Sequence, residues 1–455
     1  MNAREKSTPN VSELFAASVP RYTSYPTAPH FHAGITSTTY FGWLSSLPEG
    51  EPISIYVHIP FCDSLCWFCG CHTTVVNSYS PVRGYCDWLR KEIELVASAL
   101  RERRKVCHIH WGGGSPTLLQ SSDIALLSSA IRTHFDVLPD AEFAIEIDPR
   151  GLSETTVKAL AAAGVNRASI GLQDCDIRVQ TAINRIQSED ETAAAVSMMR
   201  AAGIGSINLD LIYGLPLQTL ESWERTLDFA MWLNPDRLAV FGYAHVPAFK
   251  KHQALIREND LPDLNMRFHL AEVASQILCT HGYVQIGLDH YAKHTDRLAQ
   301  AAAAGKLRRN FQGYTTDDAQ TLIGLGASAI GALPQGYVQN IAGVPGYRAA
   351  LADGRLPIAR GVALSDEDRV RRYAIERLMC DMEVDLNAAA ARFGKKASMF
   401  EQSLSNLFDL EAQGIVTIGN GKVTIPHKWR AAVRLVCAAF DAYLAASAKR
   451  HSAAV

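Results

Sequence analysis

No stretch of the 455-residue chain approaches the roughly 18 consecutive apolar residues that a membrane-spanning helix needs. The opening segment, MNAREKSTPNVSELFAASVPRYTSYP, also lacks the apolar run of a secretory signal. Nor is there an excess of charge of one sign. Lys and Arg number 44 and Asp and Glu 46, a formal net charge of −2. These absences argue against a membrane partner, an exported chain and a nucleic-acid binder, which would carry a basic excess. A cytoplasmic protein is expected. Thiols stay reduced in that compartment, which weakens a disulfide role for the ten cysteines. The rest of the composition, 48% hydrophobic and 20% charged, is that of a globular protein. The length allows about two to three domains.

Residues 1–50 are broken by Pro9, Pro20, Pro26, Pro29 and Pro48 and read as an extension without its own core. A rhythm then begins. Strand-like runs at 53–61, 105–112, 141–149, 166–173, 206–213 and 237–244 alternate with helix-like segments. Six strand–helix units in alternation predict a parallel α/β sheet that curls into a barrel or part of one. Along these runs one face is apolar, as in Ile55, Val57 and Ile59 or Phe143, Ile145 and Ile147. The other face is polar or small: Tyr56 and His58, His108, His110 and Gly112, Glu142, Glu146 and Asp148, Ser169, Gly171 and Gln173, Asn208 and Asp210. A closed barrel fills its interior with branched apolar side chains. Burying unpaired polar groups costs about 1–3 kcal/mol each. The interior is therefore expected to be an open cavity holding a polar ligand.

Four units follow along the chain: the extension at 1–50, the barrel core at 51–285, a loop-rich, glycine-rich segment at 286–362 that completes the active site, and a C-terminal, mainly helical domain at 363–455. The last unit opens with Ser365 and an acidic first turn, a helix start signal. A hairpin turning at Gly419–Gly421 gives it a winged-helix-like pattern. Residues 365–455 hold 13 Lys and Arg against 11 Asp and Glu, too balanced for DNA binding. A packing or lid domain is expected.

The densest chemistry is FCDSLCWFCGCHT, residues 61–73, which places Cys62, Cys66, Cys69 and Cys71 directly after the first strand. That is the mouth of a βα barrel, where active sites are built. Structural zinc sites recruit a second ligand pair further along the chain, and no later pair has that spacing. Soft thiolates on one short loop suit an iron–sulfur cluster. Zinc and plain packing remain the alternatives.

CDSLCWFC resembles the Cys-x₃-Cys-x-aromatic-Cys signature of radical S-adenosylmethionine enzymes, with Phe68 as the aromatic, and HWGGGSPT (110–117) resembles their glycine motif. VPRYTSYPTAPHF (19–31), GCH after the third cysteine, GLQD (171–174), NLDLIYGLP (208–216) and RNFQGYTT (309–316) are together similar to the oxygen-independent coproporphyrinogen III oxidases. Ser115 stands where that family usually has threonine. The resemblance implies a partial (β/α)6 TIM-type barrel, the radical S-adenosylmethionine core. It implies a [4Fe–4S] cluster on Cys62, Cys66 and Cys69 with one open iron for S-adenosylmethionine. Two molecules of that cofactor are implied, the first at Tyr56, Gly112, Glu146 and Ile330. The second falls at Phe68, Gly113, Gly114, Gln173, Arg185, Asp210 and Ala244. Cys71 lies outside the cluster set and is expected to be catalytic. The implied reaction uses a 5′-deoxyadenosyl radical to convert two propionates of coproporphyrinogen III to vinyl groups, giving protoporphyrinogen IX. A separate electron donor and acceptor are implied, and a monomer is expected. Arg21, Arg308, Arg309, Phe311 and Gln312 are the candidates for meeting the substrate, and the extension would fold over the mouth as a tripwire.

Overall fold

The structure, a computed structural model, describes residues 19–444. Its centre is one twelve-stranded sheet. Six strands are parallel neighbours in chain order: β1 (Ile53–Ile59), β2 (Lys105–Gly113), β3 (Asp136–Ile147), β4 (Arg167–Gln173), β5 (Ser206–Tyr213) and β6 (Arg237–Gly242). The helices between them are α2 (Ser80–Ala99), α3 (Ser121–His134), α4 (Glu154–Ala163), α5 (Glu189–Ala201) and α6 (Leu220–Trp232), and α7 (Leu264–Thr280) follows β6. This is the partial barrel that the alternation predicts. Ile55, Val57, Ile109, Trp111, Ile145, Ile170, Leu209 and Leu238 are buried on the helix-facing side in one core. Among the described residues no helix is long and apolar enough to cross a membrane.

The segment 286–362 is not loop-rich. It contributes β8 (His290–Lys293), β9 (Thr321–Leu325), β10 (Ile330–Leu333), β11 (Gly336–Asn340) and β12 (Ile358–Ala363) to the same sheet, beside β7 (Tyr283–Ile286). β9 runs parallel to β1, β10 to β12 continue antiparallel, and α8 (Val344–Ala352) lies between β11 and β12. The glycines that suggest loops lie where backbones approach closely. A Cβ on Gly336 would fall 2.1 Å from the Val362 carbonyl oxygen, and one on Gly361 2.3 Å from that of Tyr337. Close strand crossing demands glycine there, and glycine lowers any strand signal.

The extension also differs from its irregular appearance. Thr36 caps α1 (Ser37–Ser45) through a capping box with Thr39, and Tyr40 and Leu44 are buried. Val19, Tyr22 and Tyr25 enter the core of the C-terminal domain and Arg21 reaches the Gly242 carbonyl at the end of β6, so residues 19–31 form a strap between that domain and the barrel. Residues 1–18 of the expected extension lie outside the described residues. The C-terminal domain carries α9 (Asp366–Asp381), capped by Ser365, and a three-stranded sheet of Glu383–Asp385, Lys422–Thr424 and Thr417–Gly419. Among the described residues it ends in a 3₁₀ turn at His427–Ala432 and a short helix, Val433–Ala438.

One buried carboxylate joins the antiparallel annex to the barrel. Glu92 on α2 accepts from the Gly326 amide, Asn340 Nδ2 and the Tyr347 hydroxyl, each at 2.6 Å. Burial pushes its pKa up from 4.5 to about 7, against the hydrogen bonds that favour the ion. Between these values the folded state binds more protons than the unfolded chain, so this group's contribution to stability falls as pH rises from about 4.5 to 7. Thermal denaturation of Glu92→Gln against the parent protein should show a difference that moves in favour of the variant across that window. A constant difference would mean that Glu92 does not titrate there.

Candidate active site at the mouth of the barrel

The thiol loop leaves the C-terminal end of β1 and is held by its backbone from three directions. Phe61–Cys62 pairs with Thr74–Val75. Asn184 Nδ2 donates to the Leu65 carbonyl at 2.9 Å, and Gln253 Nε2 to that of Phe68 at 3.0 Å. His252 Nε2 lies 2.8 Å from the Cys69 carbonyl oxygen, and Lys250 Nζ donates to that of Cys71 at 2.8 Å. Two guanidinium groups approach the Cys66 sulfur, Arg185 Nη1 at 3.6 Å and Arg150 Nη2 at 3.7 Å. Asp148 binds both, at 3.2 Å and 2.6 Å. Cations this close suit an anionic ligand set.

The four thiols are not equivalent. The Cys71 amide donates to the Cys69 sulfur at 3.4 Å. A hydrogen bond between the Cys71 and Cys69 side chains lowers the Cys69 pKa to about 6 against burial, helped by the Cys71 amide, Lys250 and His252. The same contact pushes Cys71 well up, so it stays a thiol. Burial raises Cys62 to about 12, with Cys69 and Cys66 adding to the rise. Among the described residues no three His, Cys, Asp or Glu side chains are drawn together as ligands of one metal ion. A cubane instead takes its thiolates on separate irons.

Gly112, Gly113 and Gly114 end β2 as a bare ledge. A Cβ on Gly112 would lie 2.5 Å from the Glu146 carboxylate, one on Gly113 2.6 Å from the His58 ring, and one on Gly114 2.4 Å from the Phe61 carbonyl oxygen. Gly113 has a φ of +118°, which disfavours any side chain. Glu146 accepts from the Gly113 amide at 2.9 Å and faces His110 Nε2 at 3.3 Å. Burial pushes Glu146 up, yet His110 and the amide hold it below the usual carboxylate range, so it is ionised. Tyr56 Oη lies 2.9 Å from His58 Nδ1 beside them.

A second polar group sits on β4 and β5. Asp210 accepts from Ser169 Oγ at 2.9 Å and Asn208 Nδ2 at 2.8 Å. Gln173, at φ +64°, and Arg185 both face Gly171, whose carbonyl Arg185 binds at 3.0 Å. Phe68 packs with Trp67, Val179, Ile183 and Tyr243. Ala244 follows β6, and Ile330 begins β10, across from the Gly324 that pairs with Tyr56. Arg185 Nε and Asn208 Oδ1 are buried without a hydrogen-bond partner. Leftover donors and acceptors beside a bare ledge fit a polar ligand with ammonium, carboxylate and hydroxyl groups.

The polar interior has a second use that its sequence pattern does not separate. Toward the N-terminal ends of the strands, Glu142 accepts from Arg167 at 3.1 Å and faces His108 at 3.6 Å and Arg237 at 3.9 Å. Arg237 is 2% exposed and also binds Asp296 at 2.6 Å. This lower half satisfies itself. Only the upper half is left for a ligand.

Of the substrate candidates, Arg308 is neutralised by Glu376 at 2.9 Å. Arg21 and Arg309 stand at the mouth near Asp289. Phe311 meets Tyr337 edge-on at 5.9 Å, and the Gln312 amide donates to Asn310. Sequence reasoning misses Arg150, Lys250, His252 and Arg267, which come from distant loops and a helix and carry no local pattern. A separate cleft of about 810 Å³ between β7 and α9 contains none of the expected site residues.

Comparison with known proteins agrees with this geometry. The radical SAM superfamily profile matches residues 56–230. The chain is 50% identical over 437 residues to an oxygen-independent coproporphyrinogen III oxidase of Bradyrhizobium diazoefficiens, covering 96% of this chain and 97% of that one. It is 40% identical to the Pseudomonas aeruginosa protein of the same name, covering 93% of each. A solved structure of Escherichia coli coproporphyrinogen III oxidase, described as a radical SAM enzyme, superposes with a TM-score of 0.89 at 37% identity. That match covers 94% of this chain and 100% of the other.

Proposed function

We propose, from the premise that this chain belongs to the oxygen-independent coproporphyrinogen III oxidase family of radical SAM enzymes, that it converts two propionates of coproporphyrinogen III to vinyl groups, giving protoporphyrinogen IX. The observation that carries this reading is the three-thiol loop set against a glycine ledge and an ionised Glu146 at the barrel mouth. Each propionate loses a hydrogen atom from its β-carbon, CO₂ and one electron, leaving –CH=CH₂. The enzyme uses a [4Fe–4S] cluster and S-adenosylmethionine, which together supply the one-electron chemistry and the hydrogen abstraction when bound.

The chain's own residues do the rest. Cys62, Cys66 and Cys69 hold the cluster, and Arg150 and Arg185 balance its charge. Cys71 keeps a proton at its sulfur beside Cys69. The bare ledge of Gly112–Gly114 lets a cofactor lie against the strand ends. Glu146, with Tyr56 and Ile330 beside it, receives the ammonium of one S-adenosylmethionine. Phe68, Gln173, Arg185, Asp210 and Ala244 surround a second, with Arg185 for a carboxylate and Asp210 for hydroxyls. The strap at 19–31 and the C-terminal domain exclude water and oxygen from the mouth and sense substrate arrival. The ten cysteines are all free, in keeping with a cytoplasmic enzyme. A separate donor supplies one electron per S-adenosylmethionine cleaved, and an acceptor removes one per vinyl group formed.

Anaerobic incubation of the reconstituted enzyme with coproporphyrinogen III, reductant and S-adenosylmethionine should release two CO₂ per protoporphyrinogen IX. Absence of both CO₂ and a divinyl product overturns this function.

A further inference from the structure

Four arginines from four distant parts of the chain meet where β5 and β6 end. Arg21 comes from the strap, Arg267 from α7, Arg309 from the short hairpin at 308–315, and Arg434 from the short helix Val433–Ala438. Arg21 Nη2 donates to the Gly242 carbonyl at 3.1 Å, and Arg267 Nη2 to that of Tyr243 at 2.8 Å. The Arg267 guanidinium also lies against Gly242, within 5.9 Å of the Tyr213 ring centre. Arg434 donates to the carbonyls of Pro20, at 3.0 Å, and Val19, fixing the backbone beside Arg21. Arg309 stacks over Tyr314 at 4.4 Å.

Among the described residues, Asp289 is the carboxylate that faces Arg21, Arg309 and Arg434, and it is already bound by His290 at 2.8 Å. Burial and mutual repulsion lower Arg21, and lower Arg434 to about 10. Neutral side chains would relieve this repulsion at no loss of packing volume. A purely structural role accounts for the carbonyl contacts of Arg267 and Arg434. It does not account for Arg309, whose Nε and Nη1 are buried with no hydrogen-bond partner. Donors left open beside concentrated positive charge are what a carboxylate ligand requires.

We propose that Arg21, Arg267, Arg309 and Arg434 form a carboxylate site for the two substrate propionates that the reaction spares. The assignment rests on the function proposed above. The spared pair is singled out by chemistry. A carboxylate gripped by guanidinium is stabilised as an anion and resists leaving as neutral CO₂, so a strong grip belongs on groups that must stay. The product, which keeps two propionates, should therefore bind the same site.

The test uses the anaerobically reconstituted holoenzyme, titrated with coproporphyrin III, its tetramethyl ester and protoporphyrin IX by fluorescence. Arg309→Met and Arg267→Met should each weaken binding of both free acids about thirtyfold or more. They should raise KM for coproporphyrinogen III and leave S-adenosylmethionine affinity unchanged. Arg309→Lys should recover part of the loss, and the ester should bind the parent enzyme no better than the acids bind Arg309→Met. Cluster-loaded variants with parent affinity and parent KM overturn the carboxylate site while the decarboxylation stands. Weakened binding of coproporphyrin III with protoporphyrin IX unaffected overturns the assignment to the spared pair. A parent enzyme that neither binds coproporphyrin III nor releases CO₂ overturns the underlying function as well.

Discussion

Cys69→Ser protein should leave anaerobic reconstitution with iron and sulfide at background and no turnover, whereas Cys71→Ser should keep its cluster and lose activity. The split follows from the two sulfurs' different settings on one loop. Cys69 is held toward thiolate, by Cys71 first and then by Lys250 and His252. Cys71 is held as thiol by the same contact and donates its amide to the Cys69 sulfur. A cluster needs thiolates as ligands, and loss of one removes a corner of the site. A neighbour that hydrogen-bonds a ligand tunes it, and losing such a partner costs about 10–100-fold. Iron and sulfide analysis separates the two outcomes, and the EPR of the reduced protein, with and without S-adenosylmethionine, shows whether the cofactor still reaches the cluster. A Cys71→Ser protein without cluster would mean that the ligand set is not Cys62, Cys66 and Cys69.

Arg237→Leu should destabilise the fold by about 3–5 kcal/mol, the range for breaking a buried ion pair from one side. Asp296, at 2.6 Å, and Glu142, at 3.9 Å, would keep their charges in the barrel interior without this partner. Denaturant unfolding followed by fluorescence and by circular dichroism measures the loss. Arg237→Leu combined with Asp296→Leu should recover part of it, because the pair is then replaced by apolar volume rather than broken. If the single variant unfolds with the parent midpoint, the lower network contributes no stability.

The same arginine shows where the sequence stops being informative. Strand alternation correctly divides an apolar outer face from a polar inner one, since period two is a local property of a strand. It does not say which inner residues pair with one another. Glu142 and Glu146 lie four residues apart on one strand and look alike, yet the first is consumed by Arg167 and Arg237 and the second stays at the mouth. The thiol loop and the glycine ledge are legible because each packs its chemistry into a few consecutive residues. His252, Lys250, Arg267 and Arg434 are invisible for the opposite reason. They reach the mouth singly or, for Lys250 and His252, from one short segment with no recognisable motif. The strands at 321–340 are hidden because their glycines serve close backbone contact, which resembles turn chemistry when read along one dimension.

The strap places an unusual demand on how the molecule is made. The Tyr22 hydroxyl donates to Asp441, 419 residues away along the chain, and Tyr22 and Tyr25 lie in the same core as Phe440. A ribosome adding about 5–20 residues per second needs roughly 20–80 s to span that distance. For most of that interval the first strand and its cysteines are already synthesised while Asp441 and Phe440 are not. Nascent thiols are thus open to iron delivery before the mouth can shut, and truncation near the C-terminus would leave a barrel whose front cover has nothing to fasten to.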